Sequence, residues 1–131
     1  MKGIDTNVLI RYLVLDDKRQ AAIADRAIRT AVTEGHSLLI GAVVLAETVW
    51  VLEDVYGFDK SDIVSTLDKI VSTAEFSIEN RDVVQRSLED FRNGKADFAD
   101  CLIGRTGQLL GCEHTLSFDR DLTGLDTFQV L

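Results

Sequence analysis

The chain has 131 residues, 46% of them hydrophobic, with a net charge of −8 and a pI near 4.6. This length and apolar content suit one domain around a single core, which we place at residues 1–131. The acidity argues against a broad basic surface for nucleic acid, and no apolar run reaches the roughly 18 residues of a membrane span. The start of the chain also lacks the pattern of a secretory signal, so we expect a soluble, cytoplasmic protein.

The spacing of apolar residues predicts strands alternating with helices, without linker, repeat or proline. The predicted strands are 2–5, 38–40, 76–78, 115–118 and 128–130. The predicted helices are 8–13, one from Asp16 or Asp17 to about 32, 43–56, 59–71, one capped by Asn80 and running to 91, and 97–110. This order indicates an α/β fold whose parallel sheet is covered on both faces, and such sheets bind ligands at the carboxyl ends of their strands.

Four conspicuous side chains are predicted to belong to the core. Cys101 and Cys112 form no CxxC pair and are not spaced with histidines as metal ligands would be, so we interpret them as buried free thiols. Tyr12 and Trp50 lie on apolar helix faces and are expected to pack in the core rather than to stack on a base or line a partner groove.

Two aspartates follow predicted strands directly. Asp5 stands between the first strand and the first helix, and Asp119 follows the fourth strand. If these strands are neighbours in the sheet, their ends lie about 5 Å apart and the two carboxylates can share a cation. The alternatives are a helix N-cap for Asp5 and a turn, together with Asp121, for Asp119.

A third acid, Glu47, interrupts a helix that otherwise reads as apolar all round. An unpaired buried carboxylate costs several kcal/mol, so a cation is expected beside it. The alternatives are a salt bridge to arginine or a solvent-facing edge of the helix.

Asp97 and Asp100 are three positions apart at the start of the sixth predicted helix. Each is individually explained by ordinary capping, because the unpaired amides of a helix start favour negative charge. Several acids at strand ends and helix starts of one alternating fold are harder to explain in that way, and together they predict a metal site.

Hard oxygen ligands without a histidine or thiolate set favour Mg²⁺ or Mn²⁺. Such ions lower the pKa of a bound water and stabilise the leaving oxygen of a phosphodiester. Carboxylates gathered there repel one another, so some are expected to have raised pKa values.

At this point the chain resembles the PIN-domain family, especially its VapC-like toxins. Asp5-Thr6-Asn7 is similar to the opening motif of the family, Glu47 falls at the position of its helix acid, and the segments 97–103 and 117–119 are similar to its third and fourth motifs. The four motifs occur in the family's order over nearly the whole chain. Cys101 and Ser117 stand where alanine and threonine are common, and neither change removes a ligand.

The resemblance implies a single PIN-like domain with a three-layer α/β/α fold and a central parallel sheet of about five strands. It implies a Mg²⁺- or Mn²⁺-dependent endoribonuclease, a homodimer, an RNA substrate and a cognate antitoxin. The metal-binding and catalytic residues it implies are Asp5, Glu47, Asp100 and Asp119, with Asp97 and Asp121 as accessory acids and with Asn7 and Ser117 as supporting hydrogen-bonding residues.

Four basic residues lie near these motifs in sequence: Lys2, Arg11, Arg105 and Arg120. They are candidates to hold phosphates beside the cut, although solvated surface charge is the simpler interpretation.

The chief alternative is a non-catalytic module whose acidic pocket docks a basic partner peptide. A haloacid-dehalogenase-type phosphatase needs a second acid at position 7, where Asn7 stands, and a lysine motif that is absent. A response-regulator receiver needs an acid pair near the first strand and a lysine on a late strand, which are missing too.

Overall fold

The computed structural model describes all 131 residues. The strands are β1 (Lys2–Gly3), β2 (Leu38–Ile40), β3 (Phe76–Ile78), β4 (Thr115–Ser117) and β5 (Phe128–Val130). The helices are α1 (Thr6–Leu13), α2 (Lys18–Thr33), α3 (Ala42–Asp54), α4 (Lys60–Ser72), α5 (Arg81–Asn93) and α6 (Phe98–Leu109), and a short 3₁₀ helix covers Arg120–Leu122. The predicted α/β class is confirmed, and the 3₁₀ helix was not predicted.

All strand pairs are parallel, but the five strands form two hydrogen-bonded sheets instead of one. One sheet has the order β1-β2-β3, and the other consists of β4 and β5. The premise that Asp5 and Asp119 follow neighbouring strands of one sheet is therefore wrong. β1 is only two residues long because the chain turns into α1 directly after Asp5, and its ladder is formed with β2 alone.

The helix boundaries follow capping residues that the sequence shows. Asp17 caps α2 by accepting the N–H of Gln20, and Asp59 forms a reciprocal capping box with Asp62 at the start of α4. Asn80 precedes α5 as predicted, yet it caps without a side-chain hydrogen bond and adopts a left-handed conformation with φ 46°. Among non-glycine residues of the chain, it alone has a positive φ.

One continuous core joins both sheets and all six helices, with Leu9, Ile40, Leu45, Ile63 and Phe98 among its most completely buried side chains. None of the helices combines the length and the apolar character needed to cross a membrane.

The expectations that Trp50 and Cys112 are buried are wrong. Trp50 is 61% exposed and Val43 is 73% exposed, so α3 is packed on one side and presents an apolar strip outward. Cys101 is buried as predicted, whereas Cys112 is exposed in the turn after α6. Burial raises the pKa of the Cys101 thiol to about 12, which keeps it protonated and unreactive at neutral pH. Tyr12 is half-buried and packs edge-on against Phe76.

Candidate active site

Asp5 caps α1 immediately after the first sheet. Its Oδ1 accepts the backbone N–H of Val8 at 3.0 Å, while its Oδ2 makes no hydrogen bond within the chain. The capping alternative is therefore correct in geometry, but it uses only one of the two oxygens. Since the residue is exposed, the second oxygen is free to bind a ligand.

Glu47 is held beside the start of α1 by a contact between distant parts of the chain. The hydroxyl of Thr6 donates to Oε1 of Glu47 at 2.9 Å, across 41 positions of sequence. Glu47 is exposed, so the expectation of a carboxylate in an apolar interior is wrong and the solvent-facing alternative applies. The reason is that α3 packs with only one face, and Glu47 lies on the open side with Val43 and Trp50.

The start of α6 presents two acids in different environments. Asp97 occupies the N-cap position without a side-chain capping bond, so capping does not engage its carboxylate. Asp100 lies in the first turn and is half-buried, and its side chain makes no hydrogen bond in the chain. Ordinary capping therefore does not account for these two side chains.

Asp119 occupies the turn that follows β4. The Oγ of Ser117 accepts the N–H of Asp119 at 3.0 Å, and Oδ1 of Asp119 accepts the N–H of Asp121 at 2.9 Å. The turn alternative is thus observed as well, and it leaves the second oxygen of Asp119 without a partner in the chain. Asp121 lies within the 3₁₀ helix and faces a separate hollow.

Asp100 at the start of α6 interacts electrostatically with Asp97 and with Asp119, which follows β4. Burial raises the pKa of Asp100 above its ordinary value, and the negative charges of Asp97 and Asp119 raise it further. The predicted repulsion between carboxylates is therefore present at Asp100.

Glu53 is a further acid that the sequence interpretation missed. Burial raises the pKa of Glu53, followed by the charges of Asp97 and Asp54. Glu53 lies in the last turn of α3, and it lines a hollow together with Asp97. A second acid on the helix that carries Glu47 was a usable signal, but only the packing of α3 against α6 brings Glu53 to Asp97.

These residues fit a hard divalent cation by their chemistry. In the structure, no group of three or more His, Cys, Asp or Glu side chains converges closely enough to hold a metal ion. Mg²⁺, however, commonly takes only one or two carboxylates and fills its other positions with water. The mutual repulsion around Asp100 is also what a cation relieves.

The supporting and basic residues are more dispersed. Asn7 is exposed and lines a groove between α1 and α2, and no contact links it to the carboxylates. Among the basic residues, Lys2 pairs with Glu34, Arg11 with Asp16, and Arg105 with Asp90 and Asp126. Of the four basic residues near the motifs, Arg120 alone has no such partner.

Two comparisons with known proteins identify the family of the chain. The sequence model described as "PIN domain" matches residues 3–127, so the chain belongs to the PIN domain family. A VapC ribonuclease from Aquifex aeolicus (strain VF5) is 24% identical over 120 residues, which cover 92% of this chain and 88% of that protein. The resemblance to VapC-like PIN domains is thereby confirmed. No solved structure matches the chain significantly.

Proposed function

We propose that the chain is a Mg²⁺- or Mn²⁺-dependent endoribonuclease that hydrolyses RNA phosphodiester bonds. The observation that carries the proposal is the charge repulsion that Asp97 and Asp119 exert on Asp100 in a chain that belongs to the PIN domain family. The similarity to a VapC ribonuclease favours RNA as the substrate.

Each acid has a distinct part in this proposal. Asp5, Glu47, Asp100 and Asp119 hold the cation and the attacking water, with Asp97 and Asp121 as accessory acids. Asp5 and Asp119 each have one oxygen engaged by a backbone N–H, which orients the other oxygen. Thr6 orients Glu47, and Ser117 shapes the turn that carries Asp119.

When bound, Mg²⁺ or Mn²⁺ supplies a lowered pKa for a coordinated water and positive charge beside the phosphate. The chain contributes the oxygen ligands and their orientation. The half-buried position of Asp100 strengthens its attraction for a cation, because a carboxylate with less solvent around it is less well screened.

We also propose that the chain is a cytoplasmic toxin that pairs with an antitoxin protein and forms a homodimer. The exposed apolar strip of Val43 and Trp50 on α3 supports a protein partner, because large apolar side chains are usually covered. Asn7 is retained as a supporting residue because of its motif position.

The test is cleavage of a mixed RNA pool by the purified chain with Mn²⁺, with Mg²⁺ or with a chelator. Asp5→Asn and Asp100→Asn are the site variants, and Asp25→Asn is the matched control because its surface pair with Arg29 is remote from the site motifs in sequence. We expect metal-dependent cleavage by the wild type and the control but not by the site variants. Equal cleavage by all four proteins indicates a contaminant and contradicts the assignment.

Metal binding is measured separately as the rise in melting temperature on adding Mn²⁺. Mn²⁺ should raise the melting temperature of the wild type by more than that of Asp100→Asn. A metal-induced shift without cleavage of any RNA, combined with tight binding of a basic peptide, favours the non-catalytic docking module instead.

A further inference from the structure

Two hollows lie beside the carboxylates and meet at one loop. The first has a volume of about 610 Å³ and is lined by Glu53, Asp97 and the loop between α5 and α6. The second, of about 560 Å³, is lined by the same loop and by the 3₁₀ helix with Asp121. Gly94 and Lys95 line both hollows, so the two hollows adjoin at this loop, and the pair is called the groove below.

The groove contains two cations that are free to bind an external anion. Lys95 and Arg120 are both exposed, and neither forms an ion pair or a side-chain hydrogen bond in the chain. This contrasts with the other basic residues near the motifs, which are already paired with carboxylates. The third cation of the groove, Lys60, donates to the carbonyl oxygen of Gly94 and lies over the ring of Phe91.

The groove also contains acids, which determine how an anion can bind there. Asp90 is neutralised by Arg105 at 2.7 and 2.9 Å, whereas Glu53, Asp54, Asp97, Glu89 and Asp121 have no ion pair. A polyanion therefore enters favourably only where free cations project, or where a divalent ion covers the site acids.

We propose that Lys95 and Arg120 hold the phosphates of single-stranded RNA on one side of the scissile bond, with a nucleotide seated in each hollow. The proposal rests on the nuclease function proposed above and adds the path of the substrate. Each hollow falls within the roughly 300–1,000 Å³ typical of ligand clefts. Phosphate contacts position the strand without reading its sequence, so this groove sets affinity and register.

Site acids line this groove, which favours it as the RNA path. The alternative path, the groove between α1 and α2, is less well suited. Asp97 lines the first hollow and Asp121 lines the second, next to Arg120 in sequence. In the α1–α2 groove, Arg11 is engaged by Asp16, Tyr56 and Gln20, and no other cation is present.

The experiment measures binding, so it does not depend on cleavage. Single-stranded RNA oligonucleotides are titrated, with Ca²⁺ in place of Mg²⁺, against the Asp5→Asn protein with and without Lys95→Gln and Arg120→Gln. The matched control is the pair Lys18→Gln and Arg26→Gln, two unpaired exposed cations that line hollows without any of the site acids. Both pairs remove the same net charge.

We expect each groove substitution to weaken binding up to about fivefold and to reduce the salt slope of log K by about 0.7, the contribution of one phosphate contact in single strands. The control pair should leave the slope unchanged. Equal slopes for both pairs overturn the groove assignment, even if the wild type cuts RNA. If the wild-type chain with Mg²⁺ or Mn²⁺ cleaves no RNA while the slope still changes only for the groove substitutions, the nuclease is overturned and the RNA path is retained.

Discussion

The side chains of Thr6 and Glu47 join the start of α1 to the middle of α3 through a hydrogen bond of 2.9 Å. Thr6 directly follows Asp5, so this bond ties the acid of α3 to the acid that caps α1. Both side chains lie at the surface of the protein, where Glu47 has other rotamers available to it. The bond therefore restricts the rotamers of Glu47, whose carboxylate must keep a fixed position in the proposed chemistry.

We predict that Thr6→Val reduces cleavage about tenfold, since a hydrogen bond to a charged group contributes on the order of 1.5 kcal/mol. The reduction should fall on kcat or on metal affinity and not on RNA binding in Ca²⁺. Thr6→Ser retains the hydroxyl and should restore most of the activity. Equal activity of the valine and serine variants would exclude a positioning role for this bond.

The raised pKa of Asp100 gives a prediction about stability and pH. A carboxyl whose pKa is higher in the fold than in the unfolded chain favours folding when protonated. This stabilising contribution of the protonated carboxyl is present in full when the pH lies below 3.8, the pKa of Asp100 in the unfolded chain. It is lost as the pH rises through the higher pKa of Asp100 in the folded protein. At pH 7 the ionised Asp100 therefore opposes folding in the absence of metal.

We accordingly expect Asp100→Asn to melt roughly 2 °C above the wild type at pH 7 in chelator, with the gain shrinking as the pH falls toward 4. Asp25→Asn, which removes the same charge from α2, should give no such pH-dependent gain. Melting curves at several pH values measure this, and a gain that is constant with pH would contradict the electrostatic cause.

Glu79 stabilises the start of the helix that carries Glu47. Its Oε1 accepts the N–H of Ala42 at 2.8 Å, and the N-cap residue Gly41 offers no side chain for this purpose. We predict that Glu79→Ala lowers the free energy of unfolding by about 1 kcal/mol, as the loss of a helix cap does. Glu75→Ala is the control, because the Glu75 side chain is exposed and forms no ion pair. Urea unfolding measures both, and equal losses would argue against capping by Glu79.

Thr48 and Ser87 provide a contrast between two fully buried hydroxyls. The Oγ1 of Thr48 has no hydrogen-bond partner, whereas Ser87 donates to the carbonyl oxygen of Cys101 at 3.2 Å. We expect Thr48→Val to leave stability unchanged or to raise it by up to about 1 kcal/mol, and Ser87→Ala to lower it by about 1 kcal/mol. Cleavage by Thr48→Val should stay at the wild-type level. A strong loss of stability in Thr48→Val would show that its hydroxyl has a partner in solution.

Much of the fold followed from local signals in the sequence. β2, β3 and β5 have the predicted bounds, since β2 is a short apolar run and β3 and β5 each place one polar residue between two apolar ones. Asp17 and Asp59 cap helices by accepting a backbone N–H three positions further along the chain, so these helix starts are visible in the local sequence. The site acids were also visible, because Asp5, Asp97 and Asp119 stand where strands end and helices begin.

Contacts between distant segments were not visible in the sequence. Whether Glu47 and Trp50 face the core or solvent depends on which side of α3 is packed, and a helix that is apolar all round gives no local indication of that. The partners of Glu47 and Glu53 come from α1 and α6, far away in the chain. The pairing of five strands as two sheets likewise depends on ladders between separate segments.

The strands, the helix caps and the types of residue at the candidate site could be predicted from the sequence, since they depend on neighbours within a few positions. It took the folded chain to bring the charge of Asp119 close to Asp100 and to place the free cations Lys95 and Arg120 in one groove with site acids. The physical reason is that charge interactions and grooves depend on distances in space, which packing sets between residues that the chain keeps apart.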